Sequence, residues 1–117
     1  MVIAKQAPSP HVPGVGKHVE SLLPQDLARQ MRPEMIGERL YLLRTAHDLS
    51  PAEISDRLGI ERTYWSRFEG GKRPVTEIVA ALLVARFGIT LDWLILGKWD
   101  KLPLDLAERL RAVPPKK

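Results

Sequence analysis

The chain has 117 residues, enough for one small core with tails and too few for two full domains. It lacks cysteine, which removes disulfides and thiolate metal chemistry, while a 44% hydrophobic fraction permits a real core. A formal charge of +4 suits a nucleic-acid partner without demanding one.

The opening MVIAKQAPSP has no unbroken apolar segment of the kind a secretion signal needs. The longest wholly apolar run, Ile78 to Ala85, falls far short of the ~20 residues of a membrane span. The expectation is a cytoplasmic protein with no membrane association. Residues 1–19 hold Pro8, Pro10, Pro13, Gly14 and Gly16 with no apolar periodicity, and read as a flexible arm. Its Lys5 and Lys17 are solvated charges first and phosphate contacts second.

Residues 20–32 offer a short amphipathic helix, with Pro24 in the first turn and Leu23, Leu27 and Met31 on one side. Pro33 ends it. Such a helix either packs on the flank of the domain or makes a dimer or partner contact. The next helix spans about 33–47, where Met35, Ile36, Leu40 and Leu43, with Leu42 as a further member, keep the spacing of a buried stripe.

Ser50-Pro51-Ala52-Glu53 then gives a strong helix start. Ser50 can cap free amides, Pro51 loses nothing by lacking an N–H, and Glu53 closes a capping box. Ile54 and Leu58 point inward, Ser55 is small enough for a close crossing, and Gly59 suits the left-handed position after the helix end. The following helix covers 61–69, with Trp65 and Phe68 buried behind Ile60. Arg62, Thr63, Ser66 and Arg67 stand nearer the open face and Tyr64 at its edge, between a phosphate contact and partial packing.

Gly70-Gly71 ends that helix, and Lys72-Arg73-Pro74 makes a basic loop. Between Arg57 and Arg73 the basic residues Arg57, Arg62, Arg67, Lys72 and Arg73 face only Glu61 and Glu69. A helix over 75–87 is apolar around much of its circumference, as a central helix should be, and Gly88 stops it. Thr90 caps a short helix over 91–96 ending at Gly97, and a last amphipathic stretch covers 104–110. With no strand-like alternation, the fold class is all-α.

Two short helices joined by a turn of about three residues containing Gly form a DNA-binding unit. IGERLYLLR, LSPAEISDRLGI, ERTYWSRFEGGKRP and GITLDWLILG extend the match. By these pieces residues 35–97 resemble the Cro/cI-type (XRE) helix-turn-helix regulators, whose fold is the five-helix lambda-repressor-like domain. The resemblance implies a domain over 33–98, flanked by the arm, the helix over 20–32 and an extension over 99–117. It also implies roles. Arg44 and Glu69 match a partly buried salt bridge, and Arg62, Thr63 and Arg67 match positions that read base edges. Arg suits that task because its fork donates two bonds to guanine. Tyr64, Ser66, Gly71, Lys72 and Arg73 match the surroundings of phosphates.

Three residues depart from the family pattern. Pro51 replaces a frequent glutamine that clamps a phosphate or base, so that contact should be missing. Trp65 occupies a site usually given to Ile or Val, which implies a roomier or rearranged core. Glu61 would oppose the DNA backbone unless a base donor or Arg62 engages it.

His11, His18 and His47 are scattered without carboxylates at ligand spacing, the serines have no histidine base in the pattern, and no nucleotide-binding fingerprint is present. The expectation is therefore a non-enzyme with neither metal nor cofactor. By resemblance it is a nucleoid-associated transcriptional regulator, a repressor, binding double-stranded DNA as a homodimer. Leu94, Leu96, Trp99, Leu102, Leu104 and Leu110 exceed the needs of a minimal domain, and Leu94, Trp99 and Leu104 are the assigned dimer contacts. Two alternatives stand beside this: an antitoxin whose tail or helix 20–32 wraps a protein toxin, and an interaction module that has lost DNA binding.

Overall fold

The computed structural model describes residues 22–116. The arm over 1–19, with Lys5 and Lys17, and the start of the helix expected over 20–32 lie outside them. The described residues form seven helices: α1 (Gln25–Gln30), α2 (Pro33–Ala46), α3 (Pro51–Leu58), α4 (Arg62–Glu69), α5 (Glu77–Phe87), α6 (Leu91–Leu96) and α7 (Leu104–Arg111). They contain no strand.

Helix α1 is shorter than expected and buries none of its residues. Pro24 sits at its N-cap rather than inside its first turn, and Leu23 and Met31 stay exposed. What docks it is polar. Arg39 on α2 is only 6% exposed and donates to the Gln30 carbonyl at 3.0 Å, to the Leu94 carbonyl at 2.8 Å, and to the Gln30 side chain. One guanidinium thus ties α1, α2 and α6 together. Burial pushes it toward losing its proton and Glu38 partly restores it. Arginine is basic enough to stay charged there.

The helix starts follow local chemistry. At α3, Ser50 Oγ accepts from the Glu53 amide at 3.0 Å while Glu53 accepts from the Ser50 amide at 2.8 Å. Those two bonds satisfy amides that a helix start leaves without partners. Thr76 and Thr90 cap α5 and α6 with one bond each, their hydroxyls accepting from the Val79 and Trp93 amides. Helix α5 consequently begins at Glu77, two residues after the expected start, because Thr76 takes the cap position.

The core is built on Leu40, Leu43, Ile54, Trp65, Leu83, Trp93, Leu94 and Leu110, all fully enclosed. Helix α2 is its centre and packs against α4, α6 and α7. Helix α5 is less central than its composition suggested. Val79, Ala80 and Leu83 face inward, while Ile78 stands 71% exposed.

The largest correction concerns the C-terminal extension. Leu94, Leu102, Leu106 and Leu110 are all buried in the chain's own core. Arg109 donates to the Ala46 carbonyl at 3.2 Å, closing the end of α2. Trp99 meets Trp93 edge to face at 5.7 Å, with the Arg111 guanidinium 4.5 Å from its ring centre. The apolar surplus after residue 93 therefore completes the domain. Leu94 has no surface left for a dimer, and of the three assigned contacts Leu104 is the one strongly exposed.

Candidate nucleic-acid interface

Helices α3 and α4 are joined by Gly59, Ile60 and Glu61. Gly59 has φ 70°, the left-handed conformation that closes α3, and its amide donates to the Asp56 carbonyl at 3.2 Å. The Ile60 amide donates to the Ser55 carbonyl at 2.9 Å. Ser55 itself is fully buried, with its hydroxyl donating to the Pro51 carbonyl at 2.6 Å. The turn is thus fixed by the backbone and by one small side chain at the crossing.

The inner side of α4 is Trp65 and Phe68, 0% and 3% exposed. Helical periodicity places Thr63 opposite them, with Ser66 and Arg67 on either side. All three are exposed, as are Arg62 and Tyr64 at the edges. The helix therefore presents a polar face with two guanidiniums and two hydroxyls on a rigid apolar base.

Arg44 and Glu69 hold that base in place. Arg44 Nε and Nη2 each donate to the Glu69 carboxylate at 2.8 Å, and Arg44 Nη1 donates to the Leu49 carbonyl at 3.0 Å. Trp65 Nε1 adds a third donor to Glu69 at 2.8 Å. Burial opposes ionisation of Glu69, but the bonds from Arg44 and Trp65 and the nearby Arg44 and Lys116 charges outweigh it. The carboxyl consequently sits below its ordinary value of 4.5. Its hydrogen bond to Arg44 in turn holds that guanidinium above its usual range. Trp65 is thus more than a large residue at a small site: its indole N–H joins the ion pair that locks α4 to α2.

Helices α2 and α4 meet closely at Gly37. A β-carbon there would lie 2.5 Å from the Glu69 carbonyl oxygen and 2.9 Å from that of Phe68. No side chain larger than hydrogen fits without moving one backbone.

Two expectations change at the edges of the face. Arg62 does not turn back to Glu61. It makes hydrogen bonds of 3.3 and 2.9 Å to Asp56 on α3, a pair open to solvent on both sides. Glu61 occupies the N-cap without a side-chain cap bond. The Gly71 amide, expected at a phosphate, donates instead to the Phe68 carbonyl at 3.2 Å, as the Gly70 amide does to that of Ser66 at 2.9 Å. Gly71 therefore ends the helix, at φ 74°, and the loop's cations Lys72 and Arg73 remain exposed. The Arg73 guanidinium lies 4.9 Å from the Tyr64 ring centre, so Tyr64 braces that cation at one border of α4.

Residues 36–92 are matched by the family model described as a helix-turn-helix domain. The chain carries a helix-turn-helix domain of the Cro/cI kind. The match takes in α2 to α5 and reaches the start of α6, so the helix-turn-helix pair, α3 and α4, lies well inside it. Helix α7 falls outside the matched residues although it closes the domain's core. Neither the curated proteins nor the solved structures gave a match to the chain.

Sequence reasoning missed four participants: Asp56, Gly37, Arg39 and the Trp65 indole. Trp65 and Glu69 stand four apart, a spacing that places two helical side chains together. Arg39 falls three residues after Ile36, on the buried stripe. Nothing local marks Gly37, whose neighbour is distant in sequence. The domain belongs to a DNA-binding, non-enzymatic family kind. Among the described residues no helix is long and apolar enough to cross a membrane.

Proposed function

We propose that this protein is a sequence-specific transcriptional regulator, a repressor, that inserts α4 into the major groove of a palindromic operator. The observation that carries the reading is the division of α4. Trp65 and Phe68 are locked inside by Arg44 and Glu69, while Thr63 and Arg67 project from the opposite side and Arg62 from its edge. A rigid helix with two outward guanidiniums can hold bidentate contacts to guanine, and the Thr63 methyl can meet thymine. Tyr64, Ser66, Lys72 and Arg73 border this face and supply phosphate contacts. Gly71 contributes the bend rather than an amide.

One such face reads only a few base pairs, so the operator is bound by a homodimer whose half-sites lie about 34 Å apart. An apolar groove between α5 and α6 suits that contact. It measures about 230 Å³, is lined by Val75, Ala80, Ala81, Leu91 and Ile95 with Thr76 and Glu77 at the start of α5, and has Ile78 exposed on the same helix. Leu104 is a second exposed apolar site.

Selection of bound sites from a random DNA pool tests the proposal, followed by affinity against salt. Phosphate neutralisation makes log K fall steeply with log salt; a flat response would reject DNA binding. Within the face, Arg67→Ala should cost roughly 1–3 kcal/mol on the selected site and relax choice at one base. Lys72→Ala should weaken all sequences alike. Equal behaviour of the two variants would refute the division into readers and phosphate contacts.

A further inference from the structure

The C-terminal tail does not leave the domain after α7. Pro115 and Lys116 lie along α2, where with Glu38, Tyr41 and Leu42 they enclose about 160 Å³. The Lys116 ammonium stands 5.3 Å from the Tyr41 ring centre. The same lysine also lines an open cleft of about 220 Å³ whose other walls are Pro51, Trp65, Ser66, Glu69 and Gly70. That cleft joins the first turn of α3 to the border of the face of α4.

Charge decides what the cleft can take. The Glu69 carboxylate is already saturated by Arg44 and by the Trp65 indole, so its negative charge is matched. Lys116 then adds a second cation, after Arg44, beside Glu69 and the Ser66 hydroxyl, with Glu38 against the same lysine from α2. Pro51, on the opposite wall, offers neither an N–H nor a polar side chain. A cleft with an exposed ammonium and one hydroxyl beside a groove-reading helix is suited to a single anionic oxygen group.

We propose that Lys116 binds a backbone phosphate of the DNA in this cleft, so that the C-terminal tail supplies the contact that Pro51 cannot. The inference rests on the DNA-binding reading above. The tail acts as a fixed strap: two prolines, Pro114 and Pro115, restrict the backbone, and the Tyr41 ring on α2 stands 5.3 Å from the lysine's ammonium. Its contact is electrostatic and carries no base preference, since phosphates carry no sequence information.

The test compares the full chain with Lys116→Gln and Lys116→Arg on a selected duplex and on a random-sequence duplex, across a potassium chloride series. Lys116→Gln should weaken both duplexes by the same factor and make the slope of log K against log salt shallower by about 0.9. Lys116→Arg should restore the slope and keep the parent's thermal unfolding, and Lys116→Gln should lower the melting temperature by no more than the loss of one exposed charge does. Identical slopes for the full chain and Lys116→Gln, where the full chain itself is steeply salt-dependent, would overturn the tail contact and leave DNA binding intact. A flat slope for the full chain would overturn both. Loss of the slope that Lys116→Arg does not restore, with a lowered melting temperature, would make the strap structural and overturn the phosphate contact.

Discussion

Arg62 reaches the open face of α4 already engaged, by two hydrogen bonds to Asp56 across the turn. Both side chains are mostly solvent-exposed, so the pair is exchangeable rather than structural. In contact with DNA, Arg62 must give up Asp56 for a base or phosphate, and Asp56 is then a carboxylate facing a polyanion. Asp56→Asn removes that charge and the competitor together. It should tighten DNA binding at low salt by less than about tenfold, with the gap closing as salt rises. Weaker binding by Asp56→Asn in the same titration would mean that Asp56 aims Arg62 at its target. The pairing could not be found from helical spacing: residues 56 and 62 belong to different helices, and only the angle set at Gly59 brings them together. Arg67 differs, since among the described residues its side chain makes no hydrogen bond, so as the proposed reader it needs no exchange.

At the scale of elements, α4, the partner of α3, is locked to α2 by one ion-pair network. Glu69 binds its proton more weakly in the folded chain than in the unfolded one, because hydrogen bonds from Arg44 and Trp65 overcome the opposing effect of burial. The stability it contributes is therefore fully present above about pH 4.5, the ordinary value, and is lost as pH falls through the lower folded value. Glu69→Gln should cost about 3 kcal/mol at neutral pH, since it leaves Arg44 part-buried without its counter-charge. Urea unfolding from neutral to strongly acidic pH should bring the two proteins together at the acid end. Parallel stability curves across that range would show that Glu69 is not the titrating group. Much of this pair was legible in the sequence. Ser50 and Glu53 announced the start of α3, Gly59 its end, and Trp65 and Phe68 the buried side of α4. Those signals are local: a cap, a left-handed turn and a spacing of three. Gly37 was silent because its reason for being glycine is the Glu69 carbonyl, thirty-two positions away in the chain and in contact only after folding.

Over the whole molecule, sequence and structure part most clearly after residue 93. A run of leucines and a tryptophan looks the same in sequence whether it faces a second copy or its own core. The choice depends on whether the chain turns back, and the turn at Gly97 with Arg109 reaching the end of α2 sends it back. Helix α7 is consequently part of the folding unit, and the contact proposed for a partner copy lies instead at the groove of α5 and α6. Two substitutions separate these roles. Leu110→Ala removes a fully enclosed side chain and should destabilise the monomer by about 2–5 kcal/mol, with association lost only as a consequence of unfolding. Ile78→Asp alters a side chain that is 71% exposed and should leave unfolding within about 0.5 kcal/mol of the parent. It should nevertheless place a carboxylate in the apolar contact and shift sedimentation from dimer to monomer at micromolar protein. DNA binding should then fall most on a palindromic duplex and little on a single half-site, because the face of α4 is untouched. A parent chain that sediments as a monomer both alone and on the palindrome would remove the dimer. A dimer that survives Ile78→Asp and dissociates with Leu104→Asp would instead place the contact on α7, at the one assigned side chain still strongly exposed.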